Sequence, residues 1–227
     1  MTHRNQYHGG KRSLFLILLT LMALNLSAQD RMIPSYIRAL KSSRTYETNL
    51  LEYFDIGEAD RFAYLVKPSF REEYCISYNR KTKSLILKRA TMSISNFGEG
   101  NPKKNILAET SRLTISDSLA DSIHALFAAA VLTSSYMGDT LFGLDGETYQ
   151  FILNPGYSMT AECWSPDSNT NCGQAVAIIE KLCKAVEAED RKAAESLMRE
   201  IVRVTNLFRQ YYPEDFHQEK HFCGRSQ

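Results

Sequence analysis

The sequence predicts an α+β domain: an antiparallel sheet built from hairpins, packed by a middle helix and a C-terminal antiparallel helix pair. Three observations carry this expectation. Tyr149, Phe151 and Leu153 alternate with Thr148, Gln150 and Ile152, and Asn154-Pro155-Gly156 then turns the chain into Met159, Ala161 and Cys163. That is the period-two pattern of paired strands. Leu119, Ile123, Leu126, Phe127, Ala130 and Val131 recur at helical spacing, and Ala194, Leu197, Ile201, Val204, Phe208 and Tyr211 repeat steps of three and four near the C-terminus, each marking a helix with one apolar face.

Taken in order, Pro34 to Ser43 reads as a short amphipathic helix, because Ile33, Ile37 and Leu40 share a face and proline is accepted in a first turn. Arg61 to Lys67 is rich in aromatic and branched residues, as strands are. Glu73 to Tyr78 and Ser84 to Ile94 flank the polar tetrad Asn79-Arg80-Lys81-Thr82 and form a predicted hairpin. The segment from Phe97 to Lys104 breaks all periodicity and reads as an exposed loop, with a further short strand around Ile106 to Leu113. Ser116 or Asp117 can cap the middle helix. Pro155 followed by Gly156 suits the centre of a type II turn, since proline presets φ and glycine accepts the positive φ that follows. The last two helices are expected over Gly173 to Ala188 and from Asp190 to Tyr211, joined by a short connection that makes them antiparallel neighbours.

The N-terminus carries a different signal. Arg4, Lys11 and Arg12 precede an apolar run from Leu14 to Leu24, which ends in Asn25-Leu26-Ser27-Ala28, the order of a secretory signal peptide. The run falls short of the roughly 20 residues a membrane-spanning helix needs. Residues 1–28 are therefore expected to be removed, 29–212 to form a single globular domain, and 213–227 to be a flexible tail. No cysteine near residue 28 offers a lipid attachment point, so a periplasmic or extracellular protein without membrane insertion is expected. Removal takes Arg4, Lys11 and Arg12 from 27 basic residues and none of the 26 acidic ones. The resulting weak charge gives no electrostatic reason to expect nucleic acid as a partner.

An exporting route also permits disulfides. Among Cys75, Cys163, Cys172, Cys183 and Cys223, the expected pair is Cys163 with Cys172, because the polar segment between them reads as a loop joining a strand to a helix. By the chain-entropy argument, closing so short a ring stabilises by about 2 to 3 kcal/mol.

Leu144-Asp145-Gly146-Glu147-Thr148-Tyr149-Gln150-Phe151, followed by the turn and by Cys163-Trp164-Ser165-Pro166, resembles small exported proteins of unknown function from Gram-negative bacteria over about residues 144–186. The resemblance implies an envelope compartment and a strand-strand-helix order, and no activity.

Catalytic signatures are weak by comparison. His217, Glu219, His221 and Cys223 cluster, but the order differs from the His-Glu-x-x-His zinc pattern, and the segment reads as a solvated tail. Asp139 to Glu147 places Leu141 and Gly143 where a calcium loop needs oxygen ligands. No metal and no cofactor is expected. His124 borders the apolar face of its helix, and no Gly-x-Ser-x-Gly elbow or phosphate loop accompanies it. Glu72-Glu73, Glu58 with Asp60 and Glu189-Asp190 read as solvated pairs. No catalytic residue is therefore assigned. Trp164, the only tryptophan, ends a strand beside a polar loop, where it anchors a ligand or partner or else caps the core against the following helix. The expected function is non-catalytic binding of an envelope protein or small ligand. The rivals are a secreted hydrolase using His124 and a structural protein that self-associates through the stripe from Ala194 to Tyr211.

Overall fold

Aromatic and branched residues set the strands, and their alternation decides which core each side chain enters. The computed structural model describes residues 31–35, 46–95, 105–135, 145–155 and 159–212. The expected signal segment, the expected loop from Phe97 to Lys104, Gly156 of the expected turn, most of Asp139 to Glu147, and the segment with His217, His221 and Cys223 lie outside the described residues. The elements are β1 (Ile33–Ser35), α1 (Tyr46–Phe54), β2 (Asp60–Pro68), β3 (Tyr74–Asn79), β4 (Ser84–Ala90), β5 (Ala108–Thr114), α2 (Asp117–Leu132), β6 (Glu147–Leu153), β7 (Met159–Trp164), α3 (Asn171–Glu187), α4 (Arg191–Ser196) and α5 (Met198–Arg209). Among the described residues, seven strands join one antiparallel sheet in the order β1-β7-β6-β2-β3-β4-β5. The fold is α+β.

Strand β2 stands at the centre, and its near-continuous apolar run, Phe62-Ala63-Tyr64-Leu65-Val66, is buried on both faces. Phe62, Tyr64 and Val66 meet the helices α2, α3 and α5 with Phe151, Leu85 and Leu87. The Phe127 ring of α2 lies 4.8 Å from that of Phe62 and 4.9 Å from that of Phe151. Ser116 caps α2 by accepting from Leu119 N at 3.1 Å, and its own N–H and hydroxyl donate to the Glu195 carboxylate at 2.9 and 2.8 Å.

The other face of the sheet holds a second core, which the sequence reading does not anticipate. There Leu50, Tyr53 and Phe54 of α1 pack on Ala63, Leu65, Cys75 and Ile152. Two of the acidic groups read as solvated belong to this side. Glu73 is 0% exposed, and its carboxylate accepts from Ile94 N at 2.7 Å, Ser95 N at 2.9 Å and the Tyr46 hydroxyl at 2.5 Å. Asp60 is also buried and accepts from Gly57 N at 3.1 Å and the Ser77 hydroxyl at 3.3 Å. Burial raises its carboxyl pKa despite these bonds.

Two further expectations need correction. Ile33–Ser35 is a strand paired with Thr160 to Glu162 of β7, and not the start of a helix. The residues that would have continued that helix lie outside the described ones. The helix expected from Asp190 to Tyr211 is broken at Leu197, whose N–H bonds Ala194 O at 3.2 Å, three residues back, which tightens the turn and ends α4. Ala194, Ile201, Val204 and Phe208 are fully buried in the helix-side core, so this stripe faces the molecule's own interior. Lys181 of α3 and Glu200 of α5 pair at 2.8 Å across the expected helix neighbours.

Candidate functional site

At one end of the sheet, three segments distant in sequence are held together by main-chain bonds. Thr148 pairs with Trp164, and Pro68 pairs with Glu147. Beyond these pairs, Ser69 donates to Gly146 O through its N–H at 3.0 Å and its hydroxyl at 2.8 Å, and Gly146 N returns a bond to that hydroxyl at 3.2 Å. Ser165 N donates to Glu147 O at 2.8 Å, while the Ser165 hydroxyl accepts from Glu147 N at 2.9 Å. Ser165 takes φ 35° to do so, a left-handed conformation that costs an ordinary residue free energy.

Gly146 is needed at this junction for a steric reason. A Cβ there would lie 2.5 Å from Trp164 Cε2 and Cζ2 and 2.5 Å from the Ser165 hydroxyl oxygen. The Asp145-Gly146 and Trp164-Ser165 motifs noted in the sequence are thus two halves of one contact, with the indole seated where any side chain at residue 146 would stand.

Trp164 does not cap the core against α3. Its neighbour Cys163 enters the helix-side core, so strand alternation turns Trp164 to the opposite face. There it is half-buried. It shares that face with Lys67 and Glu162, an ion pair at 3.3 Å, and with Gln150. Gln150 is 2% exposed; its amide nitrogen donates to the Ser35 hydroxyl at 3.3 Å, and its Oε1 has no hydrogen-bond partner among the described residues.

One residue beyond Ser69, Phe70 is 81% exposed. Sequence reasoning missed it, because a single phenylalanine in the polar turn Ser69-Phe70-Arg71-Glu72 carries no periodic signal. Arg71 follows and donates through Nε to Glu147 Oε1 at 2.6 Å, while the Tyr149 hydroxyl donates to Glu147 Oε2 at 2.5 Å. The end of the sheet therefore presents an exposed Phe70 and a partly buried Trp164 on a backbone tied through Gly146, while Arg71 donates through two nitrogens to the one oxygen Glu147 Oε1.

The remaining candidates fall elsewhere. Cys163 and Cys172, the expected disulfide pair, are both free thiols buried in the helix-side core. Cys75 and Cys183 are also free and buried. Among the described residues, no three His, Cys, Asp or Glu side chains gather as metal ligands. His124, on α2, is half-buried near Arg61, Arg80 and Asp121, and Asp121 itself pairs with Arg61. Burial first, and then the two arginines, lower its pKa to about 4.

That lowering has a thermodynamic consequence. The unfolded chain protonates this imidazole near 6.5, well above the folded value of about 4. Between these values the unfolded state binds more protons, so the His124 contribution to stability is fully present above about pH 6.5 and is lost as pH falls toward 4. His124→Gln is expected to flatten the stability profile in that window, read by urea melts from pH 4 to 7. An unchanged slope would assign the acid sensitivity to other groups.

No family model, curated protein or solved structure matches the chain.

Proposed function

We propose that the chain is an exported, non-catalytic protein of the cell envelope that captures a protein partner through Phe70 and Trp164. The observation that carries the reading is an 81% exposed phenylalanine set on the same Gly146 junction that seats the sole tryptophan. An aromatic side chain held out in water gains nothing for the fold, whereas aromatic and arginine side chains on a rigid base dominate binding free energies between proteins. The signal-like N-terminus supports the envelope compartment. No helix among the described residues is long and apolar enough to cross a membrane.

Phe70→Ser tests the reading with little risk to the fold, because the side chain is mostly in water already. Capture of envelope proteins on the immobilised chain is expected to fall at least tenfold, with the thermal midpoint unchanged. Trp164→Ala is expected to weaken capture similarly while lowering stability by about 1 to 3 kcal/mol, since the indole is partly buried. Equal capture by wild type and Phe70→Ser would sink the proposal.

A further inference from the structure

We propose that the captured partner docks an arginine on the face of the sheet that carries Trp164, where its guanidinium donates to Gln150 Oε1 and to the Glu162 carboxylate and takes the place of Lys67. Gln150 is the observation that leads there. Its side chain is withdrawn from water, yet its Oε1 has no hydrogen-bond partner among the described residues. A buried acceptor in this state weakens a fold, and native proteins hold few of them. Turning the amide over would not help. The Thr160 hydroxyl donates to Ser35 O, so the Ser35 hydroxyl, 2.8 Å away, donates to Thr160 and turns a lone pair toward Gln150. That lone pair needs a donor, which holds the amide nitrogen of Gln150 on its side at 3.3 Å and leaves the carbonyl oxygen at the other.

A second acceptor lies beside the first. Glu162 stands opposite Gln150 in the β6–β7 ladder, which places their Cβ atoms about 5 Å apart on one face. One Glu162 oxygen meets Lys67 Nζ at 3.3 Å, and the other accepts no bond among the described residues. Because Lys67 is on β2 and Glu162 on β7, this ion pair crosses β6 on the face that holds Gln150. The two side chains are only 12% and 20% exposed, and one long contact is poor compensation for the hydration they have given up. Trp164 follows Glu162 by two residues on the same face and is only partly buried.

Two acceptors short of donors, set beside an indole, are the complement of a guanidinium. Arginine presents a flat fork of N–H donors, bonds a carboxylate through two of them and stacks on an aromatic face, whereas the lysine ammonium acts as a point charge. The incoming group therefore displaces Lys67 from Glu162 and supplies the donor that Gln150 lacks. Lys67 swings out to water, and the site still holds one cation against one carboxylate.

That the guanidinium belongs to the captured protein rests on the proposed function; the site itself does not. Trp164 is the sole tryptophan, so its fluorescence reports on this site. The full chain would be titrated with the blocked peptide acetyl-Gly-Arg-Gly-amide and with its citrulline counterpart, which keeps the shape and loses the charge. A saturable change with the arginine peptide is expected, with the citrulline peptide bound about tenfold more weakly. Lys67→Met removes the competing cation and is expected to bind the arginine peptide about fivefold more tightly, while Gln150→Leu binds it about fivefold more weakly with a urea midpoint no lower than wild type. Absence of a saturable change, equal affinity for the two peptides, no tightening in Lys67→Met, or a lowered midpoint in Gln150→Leu would each overturn the inference. Loss of capture by Phe70→Ser with no peptide bound to wild type would remove this inference and leave the binding reading; peptide binding by wild type with undiminished capture by Phe70→Ser would do the reverse.

Discussion

Glu73→Ala is expected to cost about 3 to 5 kcal/mol, measured by urea denaturation. The carboxylate is fully enclosed and satisfies two main-chain N–H groups, those of Ile94 and Ser95, as well as the Tyr46 hydroxyl. Truncation strands the buried Ile94 N–H, takes one acceptor each from the Ser95 N–H and the Tyr46 hydroxyl, and leaves a cavity between α1 and the segment following β4. Each stranded buried donor costs about 1 to 3 kcal/mol, partly recovered where water enters. Glu73→Gln should fall between the two, because one amide oxygen cannot replace two carboxylate oxygens and the amide NH₂ would face a main-chain N–H. A loss below about 1 kcal/mol for Glu73→Ala would mean that this side of the molecule is not held as described.

The second large effect is expected at Gly173. Alanine in place of glycine inside a helix ordinarily gains up to about 1 kcal/mol. Here the added methyl meets Asp167 O at 1.9 Å, Asp167 C at 2.6 Å and Ser168 Cα at 2.9 Å. These are main-chain atoms and cannot rotate aside as a flexible side chain would. Overpacking therefore wins, and Gly173→Ala is expected to destabilise by about 3 kcal/mol or more, with a lower urea midpoint. A midpoint equal to or above wild type would show that the 167–170 turn can lift off α3 at little cost.

What was legible in the sequence was local. The β6–β7 hairpin and α2 announced themselves because their periodicity lies within one element and its neighbour. Strand β1 did not: Ile33, Ile37 and Leu40 have helical spacing, while the pairing of Ile33 with Glu162 depends on residues far along the chain. Helix α1 is nine residues long, and its contacts at Leu50, Tyr53 and Phe54 matter only because the sheet has a second face to cover. The acids divided in the same way. Glu73 beside Glu72 has the sequence appearance of a solvated pair, and nothing local reveals that Ile94 and Ser95 return to it. For the site, Trp164 stood out by residue type and position, and the Asp145-Gly146 motif by its resemblance. Their steric dependence on each other is a tertiary fact. So is the arrival of Phe70, brought there by the bonds between Ser69 and Gly146.

The strand order also sets a schedule for folding. Strands β2 to β5 are sequence neighbours and can pair as soon as they are made, whereas β6 must return to β2, and β1 has no partner until β7 exists, 125 residues later at Ser35 and Thr160. Contacts this distant are slow to form because loop closure precedes any gain from pairing. The earliest described strand to be synthesised is therefore the last to dock. Until the β6–β7 hairpin arrives, the sheet is open along the β2 edge.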